Sequence, residues 1–585
     1  MANHLKPHGG DHALAEIRPP RFAAWLAEPM LRNKSVYIKV ALAAAMINLF
    51  GLVVSLFTMT VYDRVVPNMA LDSLTALTIG IAIVLVFDFA LRILRAYFVD
   101  IAGADIDREV GGNVFDRLMR IRLDMKRGST GALAGMMREL ETLRDFFASA
   151  SMTALVDVPF IVVTLVFIAV IGGWLVMVPL LVVPLIIGAG YFTRPALDRL
   201  SARSMNEGLL KQSVLVESIG SLEMVKTSNA APLLRRRWLK AIDEHADSSL
   251  RARLVSNIAI TIASSGNSIA YIGVVVAGVF MIADRDLTTG GLVACSILSG
   301  RAVQPLATIA QLLSRLSATR TAYAQLNGMM QMPPEGPIGT TGLQPARLTG
   351  RIEFRNVAFK YPGAPERTLD GISFTVEPGQ KVALLGRVGS GKSTLLRLLV
   401  GLYEPEEGVI LLDGTDTRQF DPIALRNQIG MAIQEPVLLS GSVRENILLD
   451  RPGFGDEEML RVSKLSGSHA FMGQITNGYD LKLADRGEGL SGGQRQSITI
   501  ARSLVGNPPI MLFDEPTSSM DAQTENALID RLAEEMKDRT MILVSHRNAL
   551  LRLVDRIIIV EAGKIAHDGP RDQVLAALQR PRAAA

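Results

Sequence analysis

The chain has 585 residues and one cysteine, Cys295. That scarcity excludes an intrachain disulfide and a four-thiolate metal site. Cys295 lies in an apolar run that reads as membrane depth, which is no setting for a thiolate nucleophile. A cleavable signal peptide is also missing. The first 35 residues are polar and broken by proline, and the first apolar run is too long for a signal h-region. No internal repeat is visible. Histidine is scarce too, at seven residues. His4, His8 and His12 recur every four residues, but beside Pro7, Gly9 and Gly10 they read as a tail rather than a metal site.

What is abundant is hydrophobicity: 49% of residues, with a mean hydropathy of +0.28. Values this high direct attention to membrane spans. The net charge of +4 and pI near 9.1 superficially suggest nucleic acid. Basic residues on the cytoplasmic side of a membrane protein give the same total, and no nucleic-acid partner is expected.

A spanning helix needs about 20 apolar residues to cross about 30 Å of hydrocarbon. Val40–Thr60 is free of charge, and Leu74–Phe98 is apolar apart from Asp88, Arg92 and Arg95. Met152–Val170 and Trp174–Phe192 flank a Gly172-Gly173 break. Asn257–Ala283 and Thr288–Leu313 complete six spans in three hairpins, the last interrupted by Arg301 and Gln304. The segment 100–150 holds eight Lys/Arg and 194–256 holds eleven, whereas the other connections hold one or none. The positive-inside rule then places both long connections and both termini in the cytoplasm. Helical periodicity continues into these connections, so the spans should extend well below the bilayer. Asp88, inside a span, is a functional candidate by default. Pairing with Arg92 one turn on is the simpler expectation. The cluster Arg235-Arg236-Arg237 reads as a solvated or lipid-facing patch.

Residues 329–350 form a Pro/Gly-rich linker. Beyond it, strands alternate with loops and helices, as in an α/β domain with a mainly parallel sheet. Gly386-Arg387-Val388-Gly389-Ser390-Gly391-Lys392-Ser393, followed by Thr394, fits the phosphate-loop pattern between a strand and a helix. Glycines let backbone N–H groups close around phosphates, and the helix adds its positive end. Lys392 can reach the β- and γ-phosphates and Ser393 can ligate Mg²⁺. The apolar strand Pro509–Phe513 ends at Asp514, placed to hold Mg²⁺, and Glu515, placed to polarise an attacking water. His546 follows the apolar run Met541–Val544, where it could contact a γ-phosphate.

Between these motifs lies a second phosphate grip, LSGGQRQ, at Leu490–Gln496. With the phosphate loop, Asp514-Glu515 and His546, it resembles the ABC ATPase family over 351–575. The resemblance implies that Tyr361 stacks on adenine and that Gln434 senses Mg²⁺ and the transport domain. It implies that Ser491, Gly492, Gly493 and Gln494 bind the nucleotide of a second copy, and that Asp521 communicates across that dimer. Physically, a helix starting near Gly492 offers free N–H groups to an anion.

The whole chain then resembles an ABC exporter half-transporter. The expected fold is an α-helical six-span transmembrane domain followed by an α/β P-loop ABC ATPase domain. The boundaries expected are a cytoplasmic tail at 1–35, membrane domain at 36–328, linker at 329–350 and ATPase at 351–585. Cytoplasmic helix turns near 121–130 and 206–218 should touch the ATPase domains beside Gln434. Ile47–Asn68, VDVPF (Val156–Phe160), GRVGSGKST and GEGLSGGQRQ (Gly487–Gln496) resemble type I protein-secretion ATPases of the branch exporting RTX adhesins and toxins. This implies a homodimer in the bacterial inner membrane, using ATP and Mg²⁺ to export an unfolded polypeptide. A periplasmic adaptor and an outer-membrane channel are the implied partners. Many such relatives carry an N-terminal peptidase-like domain. Only about 35 residues precede the first span here, and with Cys295 the sole cysteine a leader-cleaving cysteine peptidase is not expected. Three other readings compete. A lipid or drug exporter would share the scaffold. A soluble ABC ATPase acting on DNA or translation conflicts with the spans. An ATP-gated regulator could dispense with Glu515 and His546.

Overall fold

A computed structural model describes residues 23–125, 130–148, 150–337 and 341–579. It divides into two compact units, Met1–Met119 with Arg127–Met332, and Arg120–Lys126 with Pro333–Ala585. His4, His8 and His12 lie outside the described residues.

Among the described residues, the first unit is helical apart from short turns. Among the described residues, four stretches are long and apolar enough to cross a membrane: Lys34–Asn68, Leu71–Met119, Val158–Gly220 and Ala231–Ala283. Val158–Gly220 folds back on itself at Gly172-Gly173, where a 3-10 turn, Gly173–Val176, separates Ala150–Gly172 from Met177–Gly220. Gly173 takes φ +53°, a conformation that strains most other residues. The last long helix, Thr289–Met330, contains Arg301, Gln304 and Pro305. At 1.5 Å per residue, the 49-residue helix Leu71–Met119 runs about 70 Å, more than twice the hydrocarbon thickness. Exposed Val86, Phe87, Phe89, Val170, Phe192 and Phe280 cover its surface and those of its neighbours, as lipid-facing positions require. Cys295 is fully buried, packed with Leu52, Ile168 and Leu298.

One expectation is revised, and the cytoplasmic segments are placed. The presumed tail is structured from Ala24, where a nine-residue helix, Ala24–Arg32, packs down. Trp25 stacks on Tyr323 with centroids 5.9 Å apart and donates to Asn327 Oδ1 at 3.1 Å, and Leu26 is buried. Residues 206–218 are helical, inside Met177–Gly220, as their periodicity suggested. The chain reverses at 221–230, around the short helix Leu222–Thr227, which exposes Leu222 and Met224. The segment 120–126 groups with the ATPase unit. Ile121 bridges Pro334, Glu335 N–H donates to the Arg120 carbonyl at 2.7 Å, and Arg122 meets Glu404 at 2.9 Å. Asp124 is the other partner of Arg122.

Asp88 pairs with Arg92 as the one-turn spacing suggested, through contacts of 2.7 and 3.3 Å. Near the far end of the first span the helix widens into a π-turn, Val61–Val65. Asp63 there accepts from Thr288 Oγ1 at 2.7 Å and from the Gly290 N–H at 2.8 Å. A carboxylate thus caps the start of Thr289–Met330 and ties the first span to the last.

The second unit holds a six-stranded sheet. Its spatial order is Lys564–Pro570, Arg556–Glu561, Lys381–Leu385, Thr540–Val544, Ile510–Asp514 and Ile429–Ala432. All neighbours pair in parallel except the first two. A four-stranded antiparallel sheet contains Leu369–Val376, Ile352–Phe359, Glu407–Leu412 and Thr415–Asp416. Val382, Leu384, Leu512, Ile542 and Val544 share one core with Ile352, Phe354 and Ile372. On the other side of the parallel sheet, Phe513 and Leu543 pack with the helices Asp456–Ser466 and Gly492–Leu504.

Candidate nucleotide site

Sheet order brings the motifs together. Lys381–Leu385, Thr540–Val544, Ile510–Asp514 and Ile429–Ala432 are consecutive neighbours, in register at Leu384–Val544, Val544–Asp514 and Phe513–Ala432. The phosphate loop, His546, Asp514-Glu515 and Gln434 each follow the C-terminal end of one of these strands. That rim is where α/β sheets bind ligands.

The phosphate loop leaves its strand at Gly386 and enters the helix Lys392–Leu399 at Gly391, φ +103°. A Cβ on Gly386 would fall 2.1 Å from the Val560 carbonyl, so the tight exit from the sheet requires glycine. Lys392 is buried and donates to the carbonyls of Gly386 and Arg387, both at 2.8 Å. Burial pushes its pKa down, while Glu515 and Asp514 pull it back. Tyr361 sits edge-on to Phe359 and Tyr403, with centroids 4.9 and 5.3 Å away. Its hydroxyl lies 3.1 Å from Thr394 Oγ1 and accepts from Arg397 Nη1 at 3.2 Å.

Asp514 is buried at its strand's end. Burial pushes its carboxyl above the usual range, and a hydrogen bond to Ser393 opposes that shift. Ser393 and Asp514 together offer a hydroxyl and a carboxylate oxygen, a donor set suited to a hard cation such as Mg²⁺. Gln434 is exposed just beyond Ile429–Ala432.

Glu515 occupies the left-handed region, φ +49°, which a non-glycine residue holds only when its surroundings enforce it. Its N–H donates to the Val544 carbonyl at 2.8 Å, and its carbonyl accepts from Gln496 Nε2 at 2.9 Å. Its carboxylate lies 3.5 Å from His546 Nε2. Two backbone anchors therefore aim the side chain at the imidazole.

The signature begins the helix Gly492–Leu504. Ser491 caps it: its hydroxyl accepts from the Gln494 N–H at 3.3 Å, and the Gln494 side chain accepts from the Ser491 N–H at 2.9 Å. Gly492 and Gly493 are the first helical residues, so their N–H groups lack helical acceptors. A Cβ on Gly492 would come within 3.0 Å of the Ser519 side chain, and one on Gly493 within 3.1 Å of the Ser519 carbonyl. Among the described residues, no hydrogen bond or ion pair joins 490–494 to 386–394. One chain therefore assembles Tyr361, the phosphate loop, Asp514, Glu515 and His546, but not its own signature, around one rim.

Asp521 caps the helix Ala522–Glu535, accepting from the Gln523 and Thr524 N–H groups at 3.0 and 2.9 Å. The hydrogen bonds from Thr524 hold its carboxyl below the usual range.

Two residues with no role assigned from sequence organise the loop between Glu515 and Asp521. Gln496 is buried; besides the Glu515 carbonyl it contacts Ser518 Oγ at 3.0 Å and accepts from the Ser519 N–H at 2.9 Å. Arg547 reaches the carbonyls of Met520 and Ser518 and the carboxylate of Glu525. Gln496→Ala should lower kcat for ATP about tenfold with KM changed less than about twofold, because Glu515 loses an anchor while the phosphate loop does not. ATPase kinetics alongside a melting curve check this. Lost stability without the kcat-against-KM split would make Gln496 a packing residue only.

A parallel sheet with phosphate loop, acidic strand end and signature helix defines a P-loop ATPase of the ABC type. The sequence pattern of the ABC transporter family matches residues 369–518, and that of the ABC transporter transmembrane region matches 37–306. The chain belongs to the ABC transporter family, and its ATPase domain couples ATP hydrolysis to transport. It is 32% identical over 560 residues to the leukotoxin translocation ATP-binding protein LktB of a Pasteurella haemolytica-like species (strain 5943B). That match covers 94% of this chain and 78% of the relative. It is 31% identical to the toxin RTX-I translocation ATP-binding protein of Actinobacillus pleuropneumoniae over 557 residues, with the same coverage. A solved bacterial Atm1-family ABC exporter with ATP bound shares the fold. Its TM-score is 0.82 at 24% identity, covering 94% of this chain and all of that one.

Proposed function

We propose that this chain is the ATP-driven inner-membrane exporter of a type I secretion system, acting as a homodimer on an unfolded polypeptide of the RTX type. The observation that carries this reading is the match, across 94% of the chain, to proteins named for leukotoxin and RTX toxin translocation. A periplasmic adaptor and an outer-membrane channel complete the route. The membrane domain is assigned to 36–328 with six passes, the linker to 329–350 and the ATPase to 351–585, with both termini cytoplasmic. The excess of Lys/Arg in 100–150 and 194–256 supports that orientation.

In the ATPase, Tyr361 supports the adenine and the backbone and Lys392 of 386–394 hold the phosphates. Ser393, Asp514 and Gln434 hold Mg²⁺, which when bound neutralises charge between the β- and γ-phosphates. Glu515 accepts a proton from the attacking water, and His546 steadies the γ-phosphate and the Glu515 carboxylate. Ser491, Gly492, Gly493 and Gln494 close over the partner's nucleotide, and Asp521 faces the partner across the dimer.

Deleting the gene in its source bacterium should remove one or a few large polypeptides from the culture medium. Wild-type protein should restore them and Lys392→Ala should not, as read by mass spectrometry of the medium. An unchanged set of secreted proteins, with ATPase stimulated by small hydrophobic compounds, would favour a lipid or drug exporter instead.

A further inference from the structure

Midway along the membrane helices, a cavity of about 300 Å³ opens between Lys34–Thr60, Leu71–Met119, Ala150–Gly172 and Thr289–Met330. One wall is apolar, with Ile47, Leu52, Phe160 and Ile161. The other carries Arg92, Arg95 and Arg301, and no carboxylate lines the cavity among the described residues. Arg92 is matched by Asp88. Arg95 and Arg301 form no hydrogen bond or ion pair among the described residues, and although the Asp88 charge also reaches Arg301, three guanidiniums share that one carboxylate.

Arg301 is held in place. Its guanidinium lies against Gly51, where a Cβ would fall on Nη1, so the first span is cut away to admit it. Pro305, one turn on, has no N–H, and the Arg301 carbonyl loses its helical donor. Unpaired charge at this depth is costly, and a chain that keeps two such guanidiniums beside a cavity is built to receive an anion there.

We propose that this cavity binds carboxylate side chains of the polypeptide in transit, with Arg95 and Arg301 as the contacting groups. The inference rests on the polypeptide-export reading above. A guanidinium fork matches a carboxylate through two parallel hydrogen bonds, and the apolar wall accepts the rest of an extended chain. An anionic lipid headgroup is the poorer fit by depth. Arg95 lies near the cytoplasmic end of Leu74–Phe98, but Arg301, Asn48 and Leu52 stand mid-run, and a headgroup would have to leave the interface to reach them.

The test uses full-length protein in phosphatidylcholine nanodiscs and two fluorescein-labelled unfolded peptides of about 30 residues. One is rich in glycine, serine and aspartate, and the other has asparagine for every aspartate. The acidic peptide should bind about tenfold more tightly. Arg95→Gln and Arg301→Gln should each reduce that ratio to about twofold or less, and Arg301→Lys, which keeps the charge, should retain most of it. Equal binding of the two peptides, or a ratio untouched in both glutamine variants, overturns this inference and leaves polypeptide export standing. Binding of neither peptide overturns both. Loss of the preference when phosphatidylglycerol is added, with no loss in the glutamine variants, assigns the charge effect to lipid and overturns the proposal.

Discussion

Glu515→Gln abolishes turnover and leaves ATP bound. Glutamine keeps the length and hydrogen-bonding shape of the side chain but cannot take a proton. The strained backbone at φ +49° is held by the Val544 carbonyl and by Gln496, neither of which touches the side chain. The substitution should therefore remove the chemistry without moving the loop. Loss of a positioned general base costs on the order of 10²–10⁴-fold in rate. The residues proposed to bind nucleotide, Tyr361, the loop 386–394 and Asp514, are unaltered, so ATP affinity should stay within about threefold of the wild type. Phosphate release and filter-retained ATP, measured on the same preparation, decide the matter. Turnover within about tenfold of the wild type would move the base role elsewhere. His546→Ala is the informative companion. The imidazole, 3.5 Å from the Glu515 carboxylate, steadies the geometry without being the base. It should cost rate while the Glu515 substitution still has a further effect.

The nucleotide rim was legible from sequence because its parts are local. A phosphate loop needs glycines and a lysine at fixed spacing, and Asp514, Glu515 and His546 each mark the end of an apolar strand. The sheet order that places those strand ends side by side was not legible, since it depends on long-range pairing. Nor was the work of Gln496, whose partners lie 19 to 23 residues away along the chain. It sits inside the signature but acts on the loop after Asp514. Asp521 was legible as a site residue but not as the cap of Ala522–Glu535, although an aspartate before a helical run is a cap signal. In the membrane half, length and hydropathy located the spans and helical periodicity carried the helix through 206–218, but the point where the chain reverses was not read. The break comes at Gly220-Ser221, and the turn residues Ser218, Gly220, Ser221, Thr227, Ser228 and Asn229 before Pro232 were the local signal for it. The helix Ala24–Arg32 was missed for a different reason: it is short, contains Pro29, and owes its place to Trp25 packing on a residue some 300 positions away.

The separation of the signature from its own phosphate loop sets up the second large effect. Ser491→Arg places a cation and a long side chain at the start of the helix Gly492–Leu504, where two glycine N–H groups wait for an anion's oxygens. Ser491 is exposed, so the fold should lose only the cap, about 1 kcal/mol. ATPase activity should nevertheless fall about a hundredfold, comparable to Lys392→Ala, although no bond joins the two segments within a chain. Mixing the two variants then separates the two possible architectures. If nucleotide sites are composite, a heterodimer pairs the intact loop of the Ser491→Arg chain with the intact signature of the Lys392→Ala chain. Both lesions fall in the other site, and activity returns in the heterodimer fraction. If each chain closed its own site, both sites would carry one lesion and mixing would restore nothing. A heterodimer of wild-type and Lys392→Ala chains shows whether one intact site can turn over alone. If that control is active and the mixed variants are not, the composite site is wrong. If both are active, the second phosphate grip belongs to a partner's nucleotide, and ATP draws two copies of the chain together.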